Sequence, residues 1–254
     1  MIRFLSVIAV FLLTLTWLSS CSRPHTSMPI TESTAVPTTM SASETTPAET
    51  DGVAVPYCVD AAYARQIERY YTAISQQWDE NAYWDHEMSA LAAYYYDGTP
   101  LENVGFAFMD LDADGTQELL IGAILGAERD PLVFEIWTVR NGVPVMLAQS
   151  GSHNRYYLQY TEEDDLWSVA YEAENGAANH AVYYLQLVDG EFHTIQGVVF
   201  DALANEHEPW FMAYDLDWDV SNDTPIDGDT ATAVMTAGRN IYIAQAYIPY
   251  SQYK

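Results

Sequence analysis

Positive charge is scarce in this sequence. Lys and Arg number 9 against 36 Asp and Glu, a formal net charge of −27, and Lys254 is the sole lysine. Such a surface repels nucleic acid and anionic lipid headgroups, so neither is expected as a partner, and it attracts divalent cations. Cysteine is nearly absent: Cys21 and Cys58 are the two. A disulfide-rich secreted framework is thereby excluded, and a hydrophobic core must carry stability. There is no G-x-S-x-G, no P-loop and no G-x-G-x-x-G. His86-Glu87 and His207-Glu208 do not extend to H-E-x-x-H, so zinc is not expected. Apolar residues are not lacking. At 49% hydrophobic and 13% aromatic, the chain can bury a core despite its charge.

Residues 4–18 form the longest apolar run, preceded by Arg3. That length suits the apolar region of a signal peptide and is short for a membrane span. The run closes on Leu18-Ser19-Ser20-Cys21, which resembles the lipobox of bacterial lipoproteins. The resemblance implies cleavage before Cys21 and diacylation of its thiol. Residues 1–20 are then a signal peptide, and the exported chain is tethered by lipid to the outer face of the membrane. With Cys21 acylated, Cys58 has no partner for an intramolecular disulfide. Residues 21–55 are rich in Ser and Thr and interrupted by Pro24, Pro29, Pro37 and Pro47, the composition of an extended stalk. Residues 56–254 are expected to form a single globular domain.

The domain reads as helices followed by strands. Asp60 is a candidate N-cap, and Ile67, Tyr70, Tyr71, Ile74 and Trp78 recur at helical spacing. A second helix is expected over 87–95, with Met88, Leu91, Ala92 and Tyr95 on one face. From Val104 onward, short apolar runs alternate with tight turns. Arg140-Asn141-Gly142-Val143 and Asp189-Gly190-Glu191 are hairpin signals, and Glu162-Glu163-Asp164-Asp165 is an acidic turn. PWFMAYDL reads as an edge strand, and a short helix is expected after Asp229. The expected class is α+β: N-terminal helices packed on an antiparallel β-meander.

One stretch carries chemistry. DLDADGTQEL places Asp110, Asp112 and Asp114 at positions one, three and five, Gly115 at six, Thr116 at seven and Glu118 at nine. In a chain curling around a point, alternate side chains face it, and Gly115 permits the sharp turn. Hard oxygens converging in this way suit Ca²⁺. The twelfth position is Ile121 in a strand-like run, which excludes an EF-hand. The spacing resembles the calcium loop of FG-GAP and integrin-type β-hairpins. That resemblance implies side-chain ligands Asp110, Asp112, Asp114 and Glu118, with Thr116 contributing its carbonyl. The longer stretch ENVGFAFMDLDADGTQELLIGAI is similar to a family of bacterial lipoproteins with a lipobox, a polar stalk and one DLDGDG-type hairpin. Ala113 stands where that family has Gly. The implied ion is structural.

Two further patterns need a decision. DLDWDVSND repeats the spacing at Asp215, Asp217, Asp219 and Asp223 but has Val220 where the glycine belongs, so a strand with a wet acidic face is expected there. Tyr156, Tyr157, Tyr160, Tyr183 and Tyr184 are candidates for stacking on sugars, or for cross-strand packing. The functional expectation is a tethered, non-enzymatic protein that binds an extracellular ligand, a glycan or a protein, or has an envelope role. The competing class is a hydrolase, or hydrolase-associated subunit, acting on extracellular polymers. It would show a cleft with two convergent carboxylates about 5–10 Å apart.

Overall fold

The computed structural model describes residues 61–124, 131–161 and 166–254. The signal segment, Cys21, the stalk, Cys58, Asp60 and the turn 162–165 lie outside the described residues. Within them, eleven strands make one antiparallel sheet: β1 (Val104–Met109), β2 (Glu118–Ala123), β3 (Leu132–Arg140), β4 (Val143–Gln149), β5 (Asn154–Thr161), β6 (Leu166–Glu174), β7 (Asn179–Val188), β8 (Glu191–Asp201), β9 (Trp210–Ala213), β10 (Thr224–Ile226) and β11 (Ile248–Pro249). Their order is β10-β9-β8-β7-β6-β5-β3-β2-β1-β11, with β4 beside β3. PWFMAYDL is therefore not an edge, because β10 lies outside β9.

Turn chemistry sets the registers. Asn141 (φ +54°) and Gly142 (φ +76°) both occupy the left-handed region, the geometry of the two-residue turn that Asn-Gly predicts between β3 and β4. Asp189 (φ +51°) and Gly190 (φ +73°) do the same between β7 and β8.

The helices are α1 (Ala64–Ser75), α2 (Glu80–Asp85), α3 (Pro100–Asn103) and α4 (Gly228–Arg239). They are not confined to the N-terminal side, since α4 follows the meander. The α4 cap is Asp227, whose carboxylate accepts the Thr230 N–H at 2.6 Å. The helix expected over 87–95 is replaced by α2, capped by Asp79 on the Ala82 N–H, and a 3₁₀ stretch at Ala90–Tyr95. Between them Glu87 adopts φ +55°, and the Ser89 N–H is taken by the Glu135 carboxylate at 2.9 Å, which prevents a continuous helix.

Both faces of the sheet are apolar. One buries Leu119, Ile121, Phe134, Val182 and Tyr184 against Ile67, Tyr70 and Ile74 of α1 and Tyr83 of α2. The other gathers Leu120, Val133, Ile136, Leu158, Tyr183 and Phe211, with no residue of the four α-helices. Every residue of β2 is buried, as a strand covered on both faces requires.

The α4 helix lies close on Tyr184. A Cβ on Gly238 would overlap the Tyr184 hydroxyl and ring, and Tyr184 is itself buried and donates to the Val234 carbonyl at 3.2 Å. Gly238→Ala is expected to destabilise the protein by about 1–3 kcal/mol by forcing the helix off the sheet. Urea unfolding checks this as a lower midpoint with an unchanged slope.

Candidate metal centre

The β1–β2 hairpin presents the acidic loop. The strands pair from Val104↔Ala123 to Met109↔Glu118, so residues 110–117 must return the chain over a short span. The loop does so through Ala113 (φ +58°) and Gly115 (φ +90°). Gly115 takes this conformation without steric cost, whereas Ala113 bears one.

Asp110, Asp112 and Glu118 each direct a carboxylate oxygen to a common region, and the three oxygens lie within 4.8 Å of one another. Backbone N–H groups shape the arrangement. Gly115 donates to Asp110 Oδ2 at 3.0 Å, and Asp114 donates to Asp112 Oδ1 at 3.3 Å. The Asp114 carboxylate, also a predicted ligand, stands outside this group of three. Asp114 Oδ1 accepts the Thr116 N–H at 2.6 Å, forming the next turn of the loop.

Glu118 is the buried member, 1% exposed. Leu111 N–H donates to its Oε2 and the Thr138 hydroxyl to its Oε1, each at 2.9 Å. Burial raises its pKa above the ordinary value. Those two hydrogen bonds pull the other way, and the nearby negative charges of Asp112 and Asp114 add to the rise. Asp110 Oδ1 is sealed from solvent and has no hydrogen-bond partner. At an effective dielectric constant near 20, two unit charges at this separation repel by roughly 3 kcal/mol. Among the described residues the ion pairs are Arg140–Glu191, Arg239–Glu172 and Lys254–Glu68, so none neutralises the loop. A divalent cation held by Asp110, Asp112 and Glu118 would supply the missing charge. Thr138, 20 residues from Glu118, supports the site from β3, and no local spacing in the sequence announces it.

The other side of the loop is clamped from the start of the domain. The buried Tyr63 hydroxyl donates to the Gln117 carbonyl at 2.9 Å and to the Trp137 carbonyl at 3.3 Å.

The second acidic run does not converge. Asp217 N–H bonds Asp215, Asp219 N–H bonds Asp217, and Ser221 N–H bonds Asp219, so each carboxylate turns to the backbone two residues on. These residues form bends rather than the expected strand. The tyrosine candidates are used in packing. Tyr157, Tyr183 and Tyr184 are buried, while Tyr156 stacks on Tyr171 and Tyr160 packs tilted against Trp167, each pair at 4.7 Å.

A cleft of about 930 Å³ lies across β5, β6, β7 and α4, lined by Arg155, Glu172, Glu174, His180 and Arg239 among others. Glu172 Oε1 accepts Arg239 Nε and the Tyr242 hydroxyl, both at 3.0 Å. His180 stacks on Phe200 at 4.7 Å, and burial lowers its pKa, opposed by Glu174. No family model, curated protein or solved structure matches the chain.

Proposed function

We propose that this chain is an exported lipoprotein, anchored through lipid on Cys21, whose domain is braced by a structural Ca²⁺ in the β1–β2 hairpin and which acts by binding an extracellular ligand. The observation that carries the calcium reading is the convergence of Asp110, Asp112 and Glu118, with Glu118 buried, Asp110 Oδ1 unpartnered and no cationic side chain paired to the loop. Five expected ligands remain part of the reading: Asp114 and Thr116 complete the oxygen set when the loop tightens on the ion. The bracing role follows from position. The loop joins two strands and is held from behind by Thr138 and Tyr63, so an ion there restrains a junction of sheet and chain start rather than the mouth of a cleft.

The anchor rests on Leu18-Ser19-Ser20-Cys21 after an apolar run of signal-peptide length. Cys21→Ser is expected to move the protein out of the membrane fraction or to leave it unprocessed. A variant fractionating and migrating like the parent would count against lipidation.

A second reading is favoured by one observation. Glu172 and Glu174 lie in one cleft, away from the acidic loop, as a glycoside hydrolase requires. Against it, Glu172 Oε1 already accepts both Arg239 Nε and the Tyr242 hydroxyl, so that oxygen is committed to holding α4 and the segment after it. Release of reducing ends from a soluble polysaccharide, lost in Glu174→Gln, would decide for the hydrolase.

A further inference from the structure

We propose that the cleft across β5, β6, β7 and α4 binds a neutral oligosaccharide. The proposal names a ligand class for the binding reading above and is independent of the calcium hairpin. It starts from charge. Arg155 and Arg239 are two of only nine cationic side chains in a chain of net charge −27. Their cleft also holds Glu172 and Glu174, so two fixed positive charges face two fixed negative ones. The fixed charges therefore balance locally. An anionic ligand must approach through a strongly negative field to reach a site with no net attraction, and a cation is drawn equally to the whole surface. A polar ligand without net charge meets neither penalty.

The hydrogen-bonding groups fit the same class. Arg239 spends its Nε on Glu172, and Arg155 spends one terminal nitrogen on the carbonyls of Gly151 and Asn154. Both guanidinium groups retain N–H donors that no group among the described residues accepts. Glu174 is exposed and offers acceptors beside them, on the strand position opposite His180. Donors and acceptors thus lie side by side. A hydroxyl group both donates and accepts, so neighbouring hydroxyls on a sugar ring can bridge a guanidinium and a carboxylate. Val182 and Met235 give the cleft an apolar part against which the C–H face of a ring can rest. The cleft is also held in advance: the strand register sets Arg155 opposite Glu172 and Glu174 opposite His180, Arg155 is tied to the Gly151 and Asn154 carbonyls, and Arg239 of α4 is ion-paired to Glu172, so little ordering remains when a ligand enters. The volume lies in the range of ordinary ligand sites and exceeds what a single sugar ring needs.

The test is calorimetric titration of the full chain in detergent micelles with cellohexaose, maltohexaose, mannohexaose and chitohexaose, alongside hexagalacturonate as the anionic counterpart. At least one neutral hexasaccharide is expected to bind, and Glu174→Ala and Arg155→Ala are each expected to weaken it at least tenfold. Arg155 also holds two carbonyls, so the melting temperature is checked for that variant. The Glu174 side chain is exposed and makes no hydrogen bond among the described residues, so its variant keeps the test valid if Arg155→Ala fails to fold. No binding of any neutral hexasaccharide at 10 mM overturns the proposal. So does preference for the hexagalacturonate, or binding that Glu174→Ala leaves unchanged. Calcium binding is titrated separately, so a chain that takes up calcium but no saccharide refutes this proposal alone.

Discussion

Calcium at 10 mM is expected to raise the melting temperature of the protein by about 3–10 °C over the same protein in EDTA. The size follows from linkage. A site in an extracellular module has a Kd on the order of 10⁻⁴–10⁻³ M, so this calcium concentration stabilises the folded state by about 1.4–2.7 kcal/mol. For a domain of this size, each kcal/mol shifts the melting temperature by about 2–4 °C. Asp112→Ala should abolish the calcium-dependent difference. It should also make the calcium-free protein slightly more stable, because it removes one of three mutually repelling carboxylates within 4.8 Å. That second sign separates the ion from simple damage to the loop. A substitution that only breaks a turn lowers the melting temperature in EDTA as well. Melting curves that superimpose with and without calcium would refute the structural role.

Glu135→Ala is expected to cost about 3–5 kcal/mol, lowering the melting temperature by about 6–20 °C. Glu135 is 1% exposed and has no cationic partner among the described residues, yet its carboxylate ties four parts of the domain together. The Ser89 N–H and Trp137 Nε1 donate to it at 2.9 and 2.8 Å, and Gln149 Nε2 donates at 3.1 Å. The Tyr70 hydroxyl of α1 also bonds it. Removing the carboxylate leaves buried donors unmatched and a void behind α1. Glu135→Gln keeps the shape but turns one acceptor into a donor facing donors, and should cost about 1–3 kcal/mol.

The two variants also differ from the parent in pH dependence. Burial raises the pKa of Glu135 above its ordinary 4.5, with the hydrogen bonds from Tyr70, Trp137, Gln149 and Ser89 opposing the rise. The folded state then holds a proton that the unfolded chain has released. The resulting stability is fully present below 4.5 and is lost as the pH climbs through the folded-state value. In EDTA the parent should gain stability on mild acidification from neutral pH, and Glu135→Gln should gain less. Glu118 and Asp223, raised in the same direction by burial, add to this gain, and His180, lowered by burial, opposes it. Urea midpoints across that pH range measure these contributions.

Much of this was legible in the sequence where the determinant is local. Asn141-Gly142 demands left-handed backbone at two residues, and the chain turns there as the dipeptide requires. The spacing of Asp110, Asp112 and Glu118 places their oxygens together because a tight loop aims alternate side chains inward. The role of Glu135 was hidden. In LVFEIWTV, strict alternation puts Phe134 and Glu135 on opposite faces. The structure bulges here: Ile121 opposes Glu135 and Gly122 opposes Val133, leaving Phe134 unopposed, so Glu135 joins the helix side. A bulge of one residue re-aims every side chain beyond it, and no residue type in that run signals one. The helix expected over 87–95 failed for the same reason, since its backbone answers to Glu135, 46 residues away from Ser89. The cleft was hidden too. Arg155, Glu174 and Arg239 are brought together only by the stacking of β5 on β6 and by the return of α4 across them.

The most direct test of the account is a calorimetric calcium titration of the purified protein. One Ca²⁺ bound per chain, with a Kd of roughly 0.1–1 mM and no binding in Asp112→Ala, is the predicted result. Absence of bound calcium at 10 mM, or equal uptake by the Asp112→Ala protein, would contradict it.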